Sequence, residues 1–214
     1  MSFLIELIKQ CMKQRGEGKT VLIMKDRKEI NMAKVYVFLA DGFEEVEALI
    51  QVDLLRRASV NVETVSIMEG KLVKGAHDIA IMADILFRDD LLDADMLVLP
   101  GGGTGTKNLM NHQGLKNLML EYNKQKKYLA AICAAPGVFG VNQLLQGKNA
   151  VCYPGHEPNL YGAIILDQNV VEDANFITSK AAGTSFDFGL TLVRILCGEE
   201  TSELLRKNLC YERG

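Results

Sequence analysis

The 214-residue chain carries only three histidines, His77, His112 and His156, and none of its five cysteines pairs as CxxC. No Cys–His spacing matches a zinc site, so no metal is expected. The net charge of −3 leaves no basic footprint for nucleic acid. No apolar run approaches the roughly 18 residues of a membrane span. The opening MSFLIELIKQ has a Glu inside its short apolar stretch and no small-residue cleavage site, which makes a poor secretory signal. An odd cysteine count without such a signal points to reduced thiols and a cytoplasmic protein. The glycines of LPGGGTGTKN form no phosphate loop, because Thr106 stands where G-x-x-x-x-G-K needs its second glycine. They form no G-x-G-x-x-G either, so no nucleotide cofactor is expected.

What is present is an ordinary globular balance, 48% apolar and 24% charged, in alternating strand-like and helix-like segments. KVYVFLA (34–40) reads as a buried parallel strand, and a helix over 44–58 follows with Val46, Leu49, Ile50 and Leu54 on one face. Strands are expected at 61–67, 94–103, 128–132, 148–152, 170–172 and 176–178, with a small hairpin within 71–82. Helices are expected twice between 106 and 126, then at 136–145, 183–196 and 202–209. This alternation implies a doubly wound, three-layer α/β sandwich around a mostly parallel sheet.

Residues 1–31 sit apart. They offer one short amphipathic helix at 3–12 and two polar stretches, KQRGEGKT and KDRKEIN. Two readings stand side by side: an N-terminal helix packed on a 32–214 domain, or a mis-assigned start, since Arg27-Lys28-Glu29 can be written in purine-only codons just before Met32.

Three stretches could carry chemistry. In KYLAAICAAPGVFG, a strand ends at Cys133 and Pro136 suits the first turn of the following helix. Small residues flank the thiol as Ala131-x-Cys133-x-Ala135, the spacing of a nucleophile elbow. A helix N-terminus lowers a thiol's pKa, which predicts a value of about 6 or below. In DGFEEVEAL, Glu44 and Glu45 read as solvated helix starters. Glu47 falls at the edge of the apolar face, where a carboxyl keeps its proton and can shuttle it. In LPGGG, consecutive glycines can turn backbone N–H groups toward an anion.

Together FLADGFEEVEA, VLPGGG, AAICAAPGV and AAGTSFDFGL resemble the ThiJ/PfpI superfamily, specifically its DJ-one branch with the YajL-like proteins. The resemblance runs from about residue 34 to the C-terminus. It implies a flavodoxin-like fold and a homodimer, with Arg57 near the interface. It makes Cys133 the nucleophile, Glu47 its protonated partner, and the backbone N–H groups of Gly102 and Ala134 the oxyanion site. Departures are informative too. Ala134 stands where intracellular proteases of the superfamily have histidine, and the H-x-E pair of amidotransferases is missing, so neither triad is available. In VCYPGHE, Tyr153 replaces a loop histidine; Cys152 could supply a second thiol and His156 a nearby imidazole.

The resemblance implies an enzyme for small 2-oxoaldehydes, of glyoxalase III or deglycase type, needing no cofactor. A redox sensor or stress chaperone using the same cysteine without turnover is the second expectation.

Overall fold

The structure, a computed structural model, describes residues 32–212, and the expectations for the first 31 residues lie outside them. A seven-stranded sheet forms its middle layer. In chain order the strands are β1 (Lys34–Leu39), β2 (Asn61–Ser66), β5 (Ile85–Leu86), β6 (Met96–Leu99), β7 (Tyr128–Ile132), β10 (Val170–Asp173) and β11 (Phe176–Ser179). In space they run β10-β11-β7-β6-β1-β2-β5. Neighbours are parallel except β10 with β11. Outside this sheet, β3 (Leu72–Lys74) and β4 (Ala80–Met82) make an antiparallel hairpin, and β8 (Asn149–Ala150) and β9 (Ile164–Ile165) a short parallel pair. The helices are α1 (Glu45–Arg57), α2 (Gly103–Asn111), α3 (Gln113–Lys124), α4 (Pro136–Val141), α5 (Ser185–Cys197) and α6 (Glu199–Asn208).

Both faces of the sheet are covered, which is why its central strands read as unbroken apolar runs. Tyr36 and Phe38 of β1, Leu97 and Leu99 of β6, and Leu129 and Ala131 of β7 enter one core with α2, α3 and α4. Val35, Val37 and Leu39, Met96 and Val98, and Ala130 and Ile132 enter the other, with α1, α5 and α6. The fold is thus a flavodoxin-like α/β sandwich.

Element ends differ from expectation for local reasons. The helix expected over 136–145 stops at Val141, because Gln143 takes a left-handed φ of 59°. The first helix after β6 starts at Gly103, because Gly105 N–H is already held by the Gly42 carbonyl. The strand expected over 148–152 shrinks to two residues, since Val151 N–H donates to Thr178 Oγ1 instead of a ladder partner. The helix expected from 183 begins as a 3₁₀ turn, Ala182–Thr184. β5 and β9, two residues each, are too short to leave a period in the sequence.

β1 lies between β2 and β6, so the chain leaves β1 to one side and later returns on the other. This reversal of strand order opens a crevice at the carboxyl ends of β1 and β6, where open α/β sheets bind their ligands.

Candidate active site

Three loops meet at that crevice, after β1, β6 and β7. The last carries Cys133 with φ 64°, a left-handed value uncommon for a side-chain-bearing residue. Two backbone hydrogen bonds hold it there. Its N–H donates to the Ser179 carbonyl at 2.9 Å, and its carbonyl accepts from Tyr153 N–H at 2.7 Å. The turn also breaks the alternation of β7. Ala131 and Ile132 point to opposite cores, yet the Cys133 side chain packs on the same core as Ile132, the α1 side. The left-handed residue therefore swings the thiol toward α1.

On α1, Glu44 caps the helix by accepting Glu47 N–H at 2.6 Å. Glu47, in the first turn, is only 1% exposed. Its carboxyl accepts Gly101 N–H at 2.9 Å and is in hydrogen-bonding contact with the Cys133 thiol, with Ala182 N–H also facing it. Burial raises its pKa to about 7, helped by the Glu44 charge and opposed by the bonds from Cys133, Gly101 and Ala182.

The thiol meets the opposite of what the helix start alone predicts. Burial, and then the adjacent Glu47 charge, push it up to about 12 against the Ala134 and Gly102 N–H groups that pull it down. The following helix, α4, spans only six residues and adds little dipole. A thiolate is favoured here only while Glu47 keeps its proton, so the two groups titrate as a pair.

The glycines set the distances. A Cβ on Gly101 would lie 2.5 Å from Glu47 Oε2 and 2.7 Å from Cys133 Cβ, so no other residue fits between acid and thiol. Gly102 has φ 91°, where a side chain would strike the Gly42 carbonyl at 2.3 Å. That conformation turns the Gly102 N–H toward the sulfur, beside the Ala134 N–H.

The structure brings together Cys133, Glu47, Gly102 and Ala134. Tyr153 touches Cys133 through its backbone, while its ring is exposed and meets the His156 ring edge-on at 6.0 Å. Cys152 does not join them. It is buried in the opposite core, among the α2–α4 side chains, and burial pushes its thiol up to about 12.

Three residues escaped the sequence. Gly101 and Ala182 act through backbone N–H, which no side chain advertises. Glu45 is no solvated helix starter. It is buried beneath the β3–β4 hairpin, where it accepts His77 N–H at 2.7 Å and pairs with His77 Nδ1 at 2.8 Å. Glu44, Glu45 and His77 are the cluster nearest to a metal geometry among the described residues. However, Glu44 is taken up by the Glu47 N–H and Glu45 by His77, so the set fits an ion pair better than an ion.

A doubly wound sheet with a thiol on a left-handed elbow against a buried carboxyl defines a flavodoxin-like protein with a candidate cysteine site. The profile of the DJ-1/PfpI family matches residues 33–195, and the chain belongs to that family. It is 34% identical to protein dj-1beta of Drosophila melanogaster over 176 residues, 81% of this chain and 94% of that one. It is 31% identical to the glutathione-independent glyoxalase DJ-1 of Schizosaccharomyces pombe, over 83% of this chain and 98% of the relative. Among solved structures, a cysteine-to-alanine mutant of a DJ-1 superfamily protein from Salmonella typhimurium superposes with a TM-score of 0.82. That pair is 35% identical, over 85% of this chain and all of the other.

Proposed function

We propose that this chain is a cysteine-dependent enzyme converting 2-oxoaldehydes, such as methylglyoxal, to 2-hydroxy acids without glutathione. The contact between Cys133 and a proton-holding Glu47, with two N–H groups on the sulfur, carries this reading. The relative in Schizosaccharomyces pombe that bears the name of such an activity supports it.

In this reading the Cys133 thiolate adds to the aldehyde carbon, forming a C–S bond. The oxygen takes the Glu47 proton, and Gly102 and Ala134 N–H groups stabilise its charge as it develops. Glu47, now a carboxylate, removes the hydrogen from the former aldehyde carbon and returns it to the neighbouring carbon, while the hydroxyl proton passes to the neighbouring oxygen. The product is a thioester of the 2-hydroxy acid. Water cleaves it, releasing the acid and restoring the thiol, so the sequence is redox-neutral overall. Deglycation of protein adducts would use the same thiol and acid.

Lactate formed from methylglyoxal by the full chain is the test. Many equivalents per subunit, abolished by Cys133→Ser, are expected. One equivalent or fewer would instead favour the redox-sensor reading, in which oxygens added to the half-buried sulfur face Glu47 and the two N–H groups.

We also propose a cytoplasmic homodimer. Val46 and Leu49, 47% and 37% exposed, form an outward apolar edge on the helix whose inner face holds Glu47. Val46→Glu with Leu49→Glu should give monomers in light scattering, and a wild-type chain that is monomeric at micromolar concentration would refute the dimer.

A further inference from the structure

The turn between β11 and α5 reaches both members of the pair. Ser179, the last residue of β11, uses its carbonyl to hold Cys133 N–H at 2.9 Å. Three residues on, Ala182 N–H faces the Glu47 carboxyl. The proposed mechanism assigns nothing to the side chains of this turn, yet its hydroxyls are buried and connected.

Thr184 closes the turn on itself. Its N–H donates to the Ala181 carbonyl at 2.8 Å, and its Oγ1 accepts from Ala181 N–H at 3.1 Å. The same Oγ1 lies 2.8 Å from the Ala181 carbonyl and 2.6 Å from Ser179 Oγ. Ser179 Oγ in turn donates to the Asn169 carbonyl at 2.9 Å. Each hydroxyl has one proton to give. With Ser179 committed to Asn169, Thr184 donates to Ser179 Oγ or to the Ala181 carbonyl, and accepts from Ala181 either way. A second tie reaches the acid's own helix: Gln51, one turn beyond Glu47, donates from Nε2 to the Ser185 carbonyl at 3.1 Å.

We propose that Thr184 is a positioning residue for the Cys133–Glu47 pair. Its hydroxyl fixes the 181–184 turn, so that Ala182 N–H stays on the Glu47 carboxyl while the Ser179 carbonyl keeps Cys133 in its left-handed conformation. The inference rests on the proposed reading of that pair and deepens it. Thr184→Val keeps the shape but leaves Ala181 N–H without its acceptor and removes one partner of Ser179 Oγ. A donor to the carboxylate is then loosened, which raises the affinity of Glu47 for its proton.

The test is the pH profile of iodoacetamide labelling at Cys133, located by mass spectrometry, alongside methylglyoxal kinetics on the full chain. Thr184→Val should move the labelling midpoint up by about 0.5–1 pH unit and lower kcat about tenfold, with KM within about twofold. Thr184→Ser keeps the hydroxyl and should stay within about twofold of wild type in both rates. A folded Thr184→Val chain with the wild-type profile overturns the proposal. So does Thr184→Ser impaired as much as Thr184→Val, since packing of the methyl would then be the cause. If Thr184→Val fails to fold, Thr184→Ala decides: it too removes the hydroxyl that Ala181 N–H and Ser179 Oγ meet, without a second methyl in its place, and should shift the midpoint in the same direction. An unchanged midpoint there overturns the proposal equally. If wild type makes no lactate beyond one equivalent, the catalytic reading fails, and the labelling midpoints alone decide whether Thr184 positions the pair.

Discussion

Replacing Glu47 with Gln removes a proton-binding site whose affinity differs between folded and unfolded chain. Burial raises the folded pKa from the ordinary 4.5 to about 7. Between those values the folded chain keeps a proton that the unfolded chain has released. Stability contributed by this site is therefore complete below pH 4.5, falls as pH rises toward 7, and is gone above it. A difference of about 2.5 pH units at 1.36 kcal/mol each amounts to about 3 kcal/mol. Other groups, such as Glu45 with its lowered pKa, change with pH as well. Groups not coupled to Glu47 do so alike in both chains, and Cys133, pushed up to about 12 in the wild type, keeps its proton there across the range, so the quantity to follow is wild-type stability minus that of Glu47→Gln. Urea unfolding from pH 4 to pH 8 measures it. The difference should drop by about 3 kcal/mol, mostly between pH 5 and 7, whatever offset the amide itself introduces. A difference that stays flat within about 0.5 kcal/mol would show Glu47 ionising at its ordinary pKa in the folded chain, and the proton-holding role would fall with it.

Three further outcomes follow from the same geometry. Cys133 labelling by iodoacetamide should rise to a midpoint near the pair's first proton loss, about 7, and then flatten, because one shared proton leaves a pH-independent fraction of thiolate; a tenfold rise per unit continuing through pH 9 would contradict the pairing. Gly101→Ala should lower turnover by about 10²-fold or more while the chain still folds, since its Cβ must displace Glu47 Oε2 or Cys133 Cβ; near-normal turnover by a folded variant refutes the spacing. The Glu45 carboxylate raises the His77 pKa, so the clamp on the β3–β4 hairpin is present below the ordinary histidine range and weakens as pH rises through the raised value. Protease nicking near Asp78 should increase across that window, and His77→Ala should cleave at the faster rate at every pH; a wild-type rate that does not vary with pH argues against the clamp.

Much of this arrangement was legible in the residues, where side chains report their own surroundings. KVYVFLA reads as a strand because both of its faces are buried, and the small residues around Cys133 mark the elbow because a strained turn has no room for larger ones. Glu47 stands out as a carboxyl on the edge of an apolar stripe. What stayed hidden is non-local or carried by the backbone. The burial of Glu45 comes from a hairpin some thirty positions away, and Gly101 and Ala182 contribute N–H groups that any sequence would offer. The thiol shows the limit most clearly. A helix start three residues on suggests a lowered pKa, while burial and the adjacent carboxylate push it the other way.

The pair at the crevice is assembled from segments far apart in the chain: α1 brings the acid, the loop after β6 the glycines, the end of β7 the thiol, and the turn after β11 the last N–H group. The full set of contacts exists only when four separate parallel strands have found their register, a slow kind of pairing for a folding chain. Before that point Cys133 is an ordinary cysteine with no acid beside it. Its distinctive titration is thus a built-in reporter of completed folding, readable by alkylating Cys133 across a range of pH at any stage of refolding.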